Sequence, residues 1–170
     1  KKDFTKGKRI IGISSGKGGV GKSTSTAMLS LAMTHELGKK VGVMDADIWG
    51  YSIPNMLGAI FPPIPFEGMI LPSHAHGVKV ISMDYFVKKD EAVIWRGPML
   101  HKAIEQFLYE VIWQDIDFLL IDMPPGTGDV SISLSQFLSL SETVIVTTPQ
   151  KTSSDVAQRA GIMANKVKSD

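Results

Sequence analysis

Cysteine is absent from all 170 positions of this chain. Disulfides, thiolate zinc sites and cysteine-ligated iron–sulfur clusters are therefore excluded within these residues, because each needs a sulfur ligand. Nowhere do about 18 apolar residues follow one another, so no membrane span is expected. The first residues also lack the apolar middle of a signal peptide, and the expected location is cytoplasmic. Net charge is only +1. That balance supplies no field to draw nucleic acid or an anionic membrane, and neither is expected as a partner. The basic stretch Lys1, Lys2, Lys6, Lys8 and Arg9 reads as a solvated tail. His74 and His76 have no third ligand nearby in sequence and read as turn histidines. The scattered methionines suit core filling.

What is present is apolar and periodic. With 44% hydrophobic residues the chain can build one core, so residues 1–170 are expected to form a single domain. The dominant motif is GISSGKGGVGKST at residues 12–24, in which Gly16 to Ser23 match the phosphate-loop template G-x-x-x-x-G-K-[ST]. A β-branched run, Arg9 to Ser15, precedes it and predicts a buried strand. From Lys22 the pattern becomes helical, with apolar Ala27, Met28, Leu31 and Ala32, and ends near Leu37-Gly38. Gly16, Gly18, Gly19 and Gly21, interleaved with Lys17 and Val20, let the loop amides turn toward an anion at the helix's positive end. A nucleoside triphosphate is the expected ligand. Lys22 is assigned to the β and γ phosphates, Ser23 to Mg²⁺ and Thr24 to the α-phosphate.

Acidic residues at strand ends complete the pattern. Lys40 to Asp45 predicts a second buried strand, and Asp45 with Asp47 arrives at the carboxyl edge where open α/β sheets keep their ligands. One of these carboxylates can orient an attacking water. The same pair also suits an acidic turn that caps the next helix. Ile116 to Asp122 predicts a Walker B strand whose Asp122 holds the Mg²⁺ shell. The Pro124-Pro125-Gly126 segment after it resembles a switch with the Gly126 amide available to a γ-phosphate, or a plain loop before a helix cap at Asp129.

Further along, Met69–Leu71 and Val78–Met83 predict a small hairpin around residues 72–77, and 59–65 reads as irregular. Residues 98–113 predict a core-facing helix with Leu100, Ile104, Phe107, Leu108 and Val111 on one stripe. Glu142 to Pro149 predicts another strand and 153–168 a last helix. Strand and helix alternate at least four times. The expected fold is a doubly wound, mainly parallel α/β sheet of the P-loop NTPase (SIMIBI) type with a small inserted hairpin.

Taken in order, SGKGGVGKST, VGVMDADIWGYSIPNMLG, VIWRGPMLHKAIEQFL, DFLLIDMPPGTGD and VIVTTPQ resemble the Mrp/ApbC-type ATPases. These belong to the deviant-Walker-A branch shared with MinD, ParA and the nitrogenase iron protein. The resemblance covers nearly the whole chain. It implies a homodimer that sandwiches two ATP molecules and carries [4Fe–4S] clusters to apo iron–sulfur client proteins. Lys17 matches the lysine that in this branch reaches the partner's phosphates, Asp47 the water-orienting aspartate, Asp45 its strand-end neighbour and Asp122 the Walker B acid.

One departure is plain. Family members hold the cluster through a C-x-x-C pair beyond the last helix seen here, and no cysteine is present. The chain is expected to be a fragment without that C-terminal part, or else a variant that binds no cluster. A ParA/MinD-like positioning ATPase and a nucleotide-gated regulator remain alternative readings.

Overall fold

Apolar runs bounded by glycine, proline and acid fold into strands, and the stripes between them fold into helices that cover both faces of one sheet. In this computed structural model the described residues are 7–48, 50, 52–86, 97–126, 129–138, 140–149, 155, 157–159, 161–162 and 165. Chain order is β1 (Arg9–Ser15), α1 (Lys22–His35), β2 (Val41–Asp45), α2 (Ile53–Leu57), β3 (Ile64–Phe66), β4 (Met69–Leu71), β5 (Ser73–Ala75) and β6 (Val78–Ser82). A 3₁₀ turn at Met83–Phe86 follows, then α3 (Gly97–Glu110), β7 (Phe118–Asp122), α4 (Asp129–Leu138) and β8 (Glu142–Val146).

The main sheet runs β5-β6-β2-β7-β1-β8, with every neighbouring pair parallel except β5 against β6. Asp122 on β7 lies in register with Ile13 on β1 and with Asp45 on β2. The three central strands therefore finish together. Whatever follows them meets at one edge, which is where parallel α/β sheets place their ligands.

One face of the sheet packs against α3 and α4. Leu100, Ile104, Phe107 and Leu108 form the expected stripe and are buried with Leu134 and Leu138. Trp113 lies over Gly42 of β2 so closely that a Cβ there would sit 2.7 Å from its ring. The other face packs against α1 and α2 through Ala27, Met33, Ile53 and Leu57.

Three details differ from expectation. The buried side of α1 is Lys22, Thr26, Ala27, Ser30 and Met33, whereas Met28 is largely exposed, because this helix is oriented by polar contacts rather than by apolar residues alone. Helix α3 spans Gly97–Glu110, not 98–113. Beyond it the chain turns to bridge Ile70, where the Ile112 amide donates to the Ile70 carbonyl. Instead of one inserted hairpin there are two. β3 pairs with β4 apart from the main sheet, and β5 pairs with β6, which is itself a sheet strand parallel to β2. Each has a two-residue turn with positive φ at both positions, Glu67-Gly68 and His76-Gly77.

His76 is thus a turn residue, as expected. Of the last predicted helix, the described positions 155, 157–159, 161–162 and 165 are helical. The first six residues of the basic tail, and Trp49, Tyr51, Trp95 and Arg96 of the middle signatures, lie outside the described residues. Among the described residues no helix is long and apolar enough to cross a membrane.

Candidate functional site

At the carboxyl edge the loop 16–21 wraps from β1 into α1. Gly19 and Gly21 hold φ of 73° and 88°, backbone angles that a side chain would strain. A Cβ built on Gly18, Gly19 or Gly21 meets nothing within 4 Å, so these glycines border open space. No side chain caps the N-terminus of α1 and no acid sits in its first turn, which leaves the positive end of the helix to an external anion.

Beneath the loop lies an unusual buried charge cluster. Lys22 is only 5% exposed, yet its Nζ donates to Asp122 Oδ1 at 2.7 Å and to Asp47 Oδ2 at 3.0 Å. Ser23 Oγ donates to Asp122 Oδ2 at 2.7 Å. Thr26 Oγ1, one turn along the same helix face, reaches Asp122 Oδ1 at 3.1 Å. Asp122, fully buried, is thereby satisfied by three donors from α1. A buried carboxylate is tolerated only when paired and hydrogen-bonded in this way.

Asp45 plays a different part from its neighbour. Its Oδ1 accepts the Asp47 amide at 3.2 Å, and its Oδ2 accepts the Ile53 amide at 3.3 Å. Ile53 opens α2, so Asp45 braces both ends of the loop that carries Asp47 and does the capping that Ser52 does not. Burial first, and the charge of Asp122 second, push the Asp45 carboxyl up to about 7. The two open readings of the acidic pair thus divide between them: Asp45 caps, and Asp47 contacts the loop lysine.

A cleft of about 410 Å³ opens above this cluster, lined by Gly18, Gly19, Gly21, Lys22, Ser23, Thr24, Asp47 and also by Ser15, Gly50, Ser52, Met56 and Pro125. Lys17 is exposed and is not part of that lining, whereas Gly16 and Val20 are half-buried at the loop's ends. Gly126 departs from expectation. Its amide donates to the Ser15 carbonyl at 2.8 Å and is not available to a ligand in this conformation. Sequence reasoning missed Thr26 and Ser15. The four-residue spacing from Lys22 could have found Thr26, and strand parity with Ile11 and Ile13 could have found Ser15.

Among the described residues no three His, Cys, Asp or Glu side chains gather as a metal site. A magnesium ion that arrives with a polyphosphate needs fewer protein ligands than that, and the hard oxygens of Ser23 and Asp122, 2.7 Å apart, suit it.

The glycine loop, its buried lysine and the two strand-end acids are the parts of a P-loop NTPase. The family model described as ParA, NUBPL iron-transfer P-loop NTPase, matches residues 6–170. This chain belongs to that family. The iron-sulfur cluster carrier protein of Mycobacterium bovis is 53% identical over 156 residues, covering 92% of this chain and 41% of the relative. That of Escherichia coli K12 is 48% identical over 162 residues, covering 94% and 44%. The chain thus spans less than half the length of these curated relatives. Among solved structures, the ADP complex of a nucleotide-binding protein from Archaeoglobus fulgidus has a TM-score of 0.81 at 35% identity, over 98% of this chain and 67% of that one. The cell division ATPase MinD of Pyrococcus furiosus has a TM-score of 0.65 at 28% identity, over 93% and 67%. The resemblance to Mrp/ApbC-type ATPases and the SIMIBI fold are both upheld.

Proposed function

We propose that these residues are the nucleotide-binding and hydrolysing domain of an iron–sulfur cluster carrier, working as a homodimer that encloses MgATP at its interface. The observation that carries the ATPase part is the buried Lys22 between Asp47 and Asp122 at the floor of a glycine-walled cleft. The carrier part rests on relatives of that name that are 46–53% identical.

In this reading the loop amides and the α1 terminus bind the polyphosphate, and Lys22 leaves its carboxylate partners to neutralise the β and γ oxygens. That exchange frees Asp47 to orient a water, which attacks the γ-phosphorus as the bond to the ADP oxygen breaks. Ser23, and Asp122 through the ion's water shell, would hold magnesium, which would supply further charge neutralisation. Lys17 serves a partner's phosphates in this reading, which its exposure and its absence from the cleft lining support. The cluster and the apo client proteins are cargo and recipients, and no thiolate among these residues can bind the cluster.

Calorimetric titration and a phosphate-release assay test this reading together. Wild type should bind MgATP and turn it over, whereas Lys17→Ala should bind but not hydrolyse. Full turnover by that variant would reject the sandwich mechanism, and no ATP binding by wild type would reject the site.

A further inference from the structure

Ser15 closes β1 and is fully buried, and among the described residues its hydroxyl is the buried side-chain oxygen or nitrogen with no hydrogen-bond partner. Native interiors pair nearly all such groups, so a lone exception calls for a missing partner. Its surroundings say what kind. Strand parity places Ser15 on the same face of the sheet as Ile11 and Ile13, the face covered by α1, and it lines the cleft with Gly18, Lys22 and Asp47. The nearby acceptors Asp47 and Asp122 are already engaged by Lys22, Ser23 and Thr26. A spare hydroxyl donor beside a lysine and the glycine loop suits an anionic oxygen from outside the chain.

The position along the cleft is also defined. The Ser15 carbonyl accepts the Gly126 amide at 2.8 Å, which puts this residue against the segment that leaves the Asp122 strand. Thr24, whose hydroxyl lies 4.0 Å from Met56 Sδ, belongs to the side walled by α2. We propose that the Ser15 hydroxyl donates a hydrogen bond to the terminal phosphate of the bound nucleoside triphosphate. It is a phosphate-positioning group that the loop template does not include. The inference rests on the reading that this cleft binds ATP. It also ties phosphate occupancy to the 123–126 segment, because the hydroxyl and the carbonyl that holds Gly126 belong to one residue.

The test is Ser15→Ala, titrated with MgADP and with the magnesium complex of the non-hydrolysable β,γ-imido analogue of ATP, beside a thermal melt without ligand. The analogue should bind about tenfold more weakly than to wild type, as loss of a charge-assisted hydrogen bond predicts. ADP affinity should stay within about twofold, since ADP lacks the phosphate concerned. The ligand-free midpoint should hold or rise, because a methyl hydrogen replaces a hydroxyl that had no internal partner. Unchanged analogue affinity overturns the proposal, as does an equal loss for both nucleotides or a lowered ligand-free midpoint. Wild type that binds neither nucleotide overturns the ATP reading as well, which separates the two failures.

Discussion

The two faces of the sheet both bury apolar clusters, but their main helices are seated by different contacts. Under α3 the side-chain contact is mainly apolar, with Leu100, Ile104, Phe107 and Leu108 closing on Leu119, Ile121 and Trp113. Under α1 the buried helix positions are Lys22, Thr26, Ala27, Ser30 and Met33, two of which bind Asp122 directly. An apolar stripe gives non-directional burial, whereas a hydrogen-bonded lysine and hydroxyl fix the helix at one height and rotation. Both faces contribute buried apolar area, and the polar contacts of the α1 face also make the loop, and hence the cleft, definite.

The sharpest way to break that contrast is Lys22→Ala. It should remove measurable ATP binding in calorimetry and, by leaving Asp47 and Asp122 buried without their cation, cost about 3–5 kcal/mol in urea unfolding. Retained ATP affinity would sink the assignment of the cleft. On the opposite face, Ile104→Ala should cost about 2–5 kcal/mol by opening a core cavity. Its nucleotide affinity, measured well below the melting temperature, should be that of wild type, and a weakened affinity would show that the two faces are coupled.

A pH comparison separates the faces further. The folded Asp45 carboxyl titrates at about 7, while in the unfolded chain it releases its proton near pH 4. Between these values the folded state binds more protons, so this group takes stability away as pH rises through the window and adds no further change above it. Asp45→Asn should therefore gain on wild type in urea melts between pH 5 and pH 8, whereas the Ile104→Ala deficit should hold constant across the same range. A pH-independent Asp45→Asn difference would contradict the buried, Asp122-facing placement. The smallest expected effect is Thr26→Val, which keeps the volume but removes one of three donors to Asp122, at about 1 kcal/mol by chemical denaturation. No loss there would mean that Lys22 and Ser23 satisfy Asp122 alone.

Much of the site was legible in order along the chain. The loop template, the strand Arg9–Ser15 and the acids at 45, 47 and 122 each depend on local pattern, and each is found at the predicted edge. The Glu67-Gly68 turn was missed, and the tight His76-Gly77 turn was read only as part of a longer connection at 72–77, because neither pair has the Asn or Asp that usually marks such turns. The α1 face was misjudged for a related reason. Apolar periodicity favours Met28, but the helix's rotation is dictated by Asp122, which lies 96 residues from Thr26 in sequence.

Residue order alone was enough to determine the doubly wound topology and the anion-gripping loop, because strand parity, glycine placement and the 3.6-residue helical repeat act over a few neighbours. Only the folded chain decided that Asp47 and Asp122 together hold Lys22, that Asp45 braces α2 while Asp47 faces the cleft, that Gly126 is tied to Ser15, and that the Ser15 hydroxyl is left without a partner. Those outcomes depend on hydrogen-bond geometry between strand ends brought together by parallel register, and a distance of a few ångströms between residues tens of positions apart is not written in any local pattern.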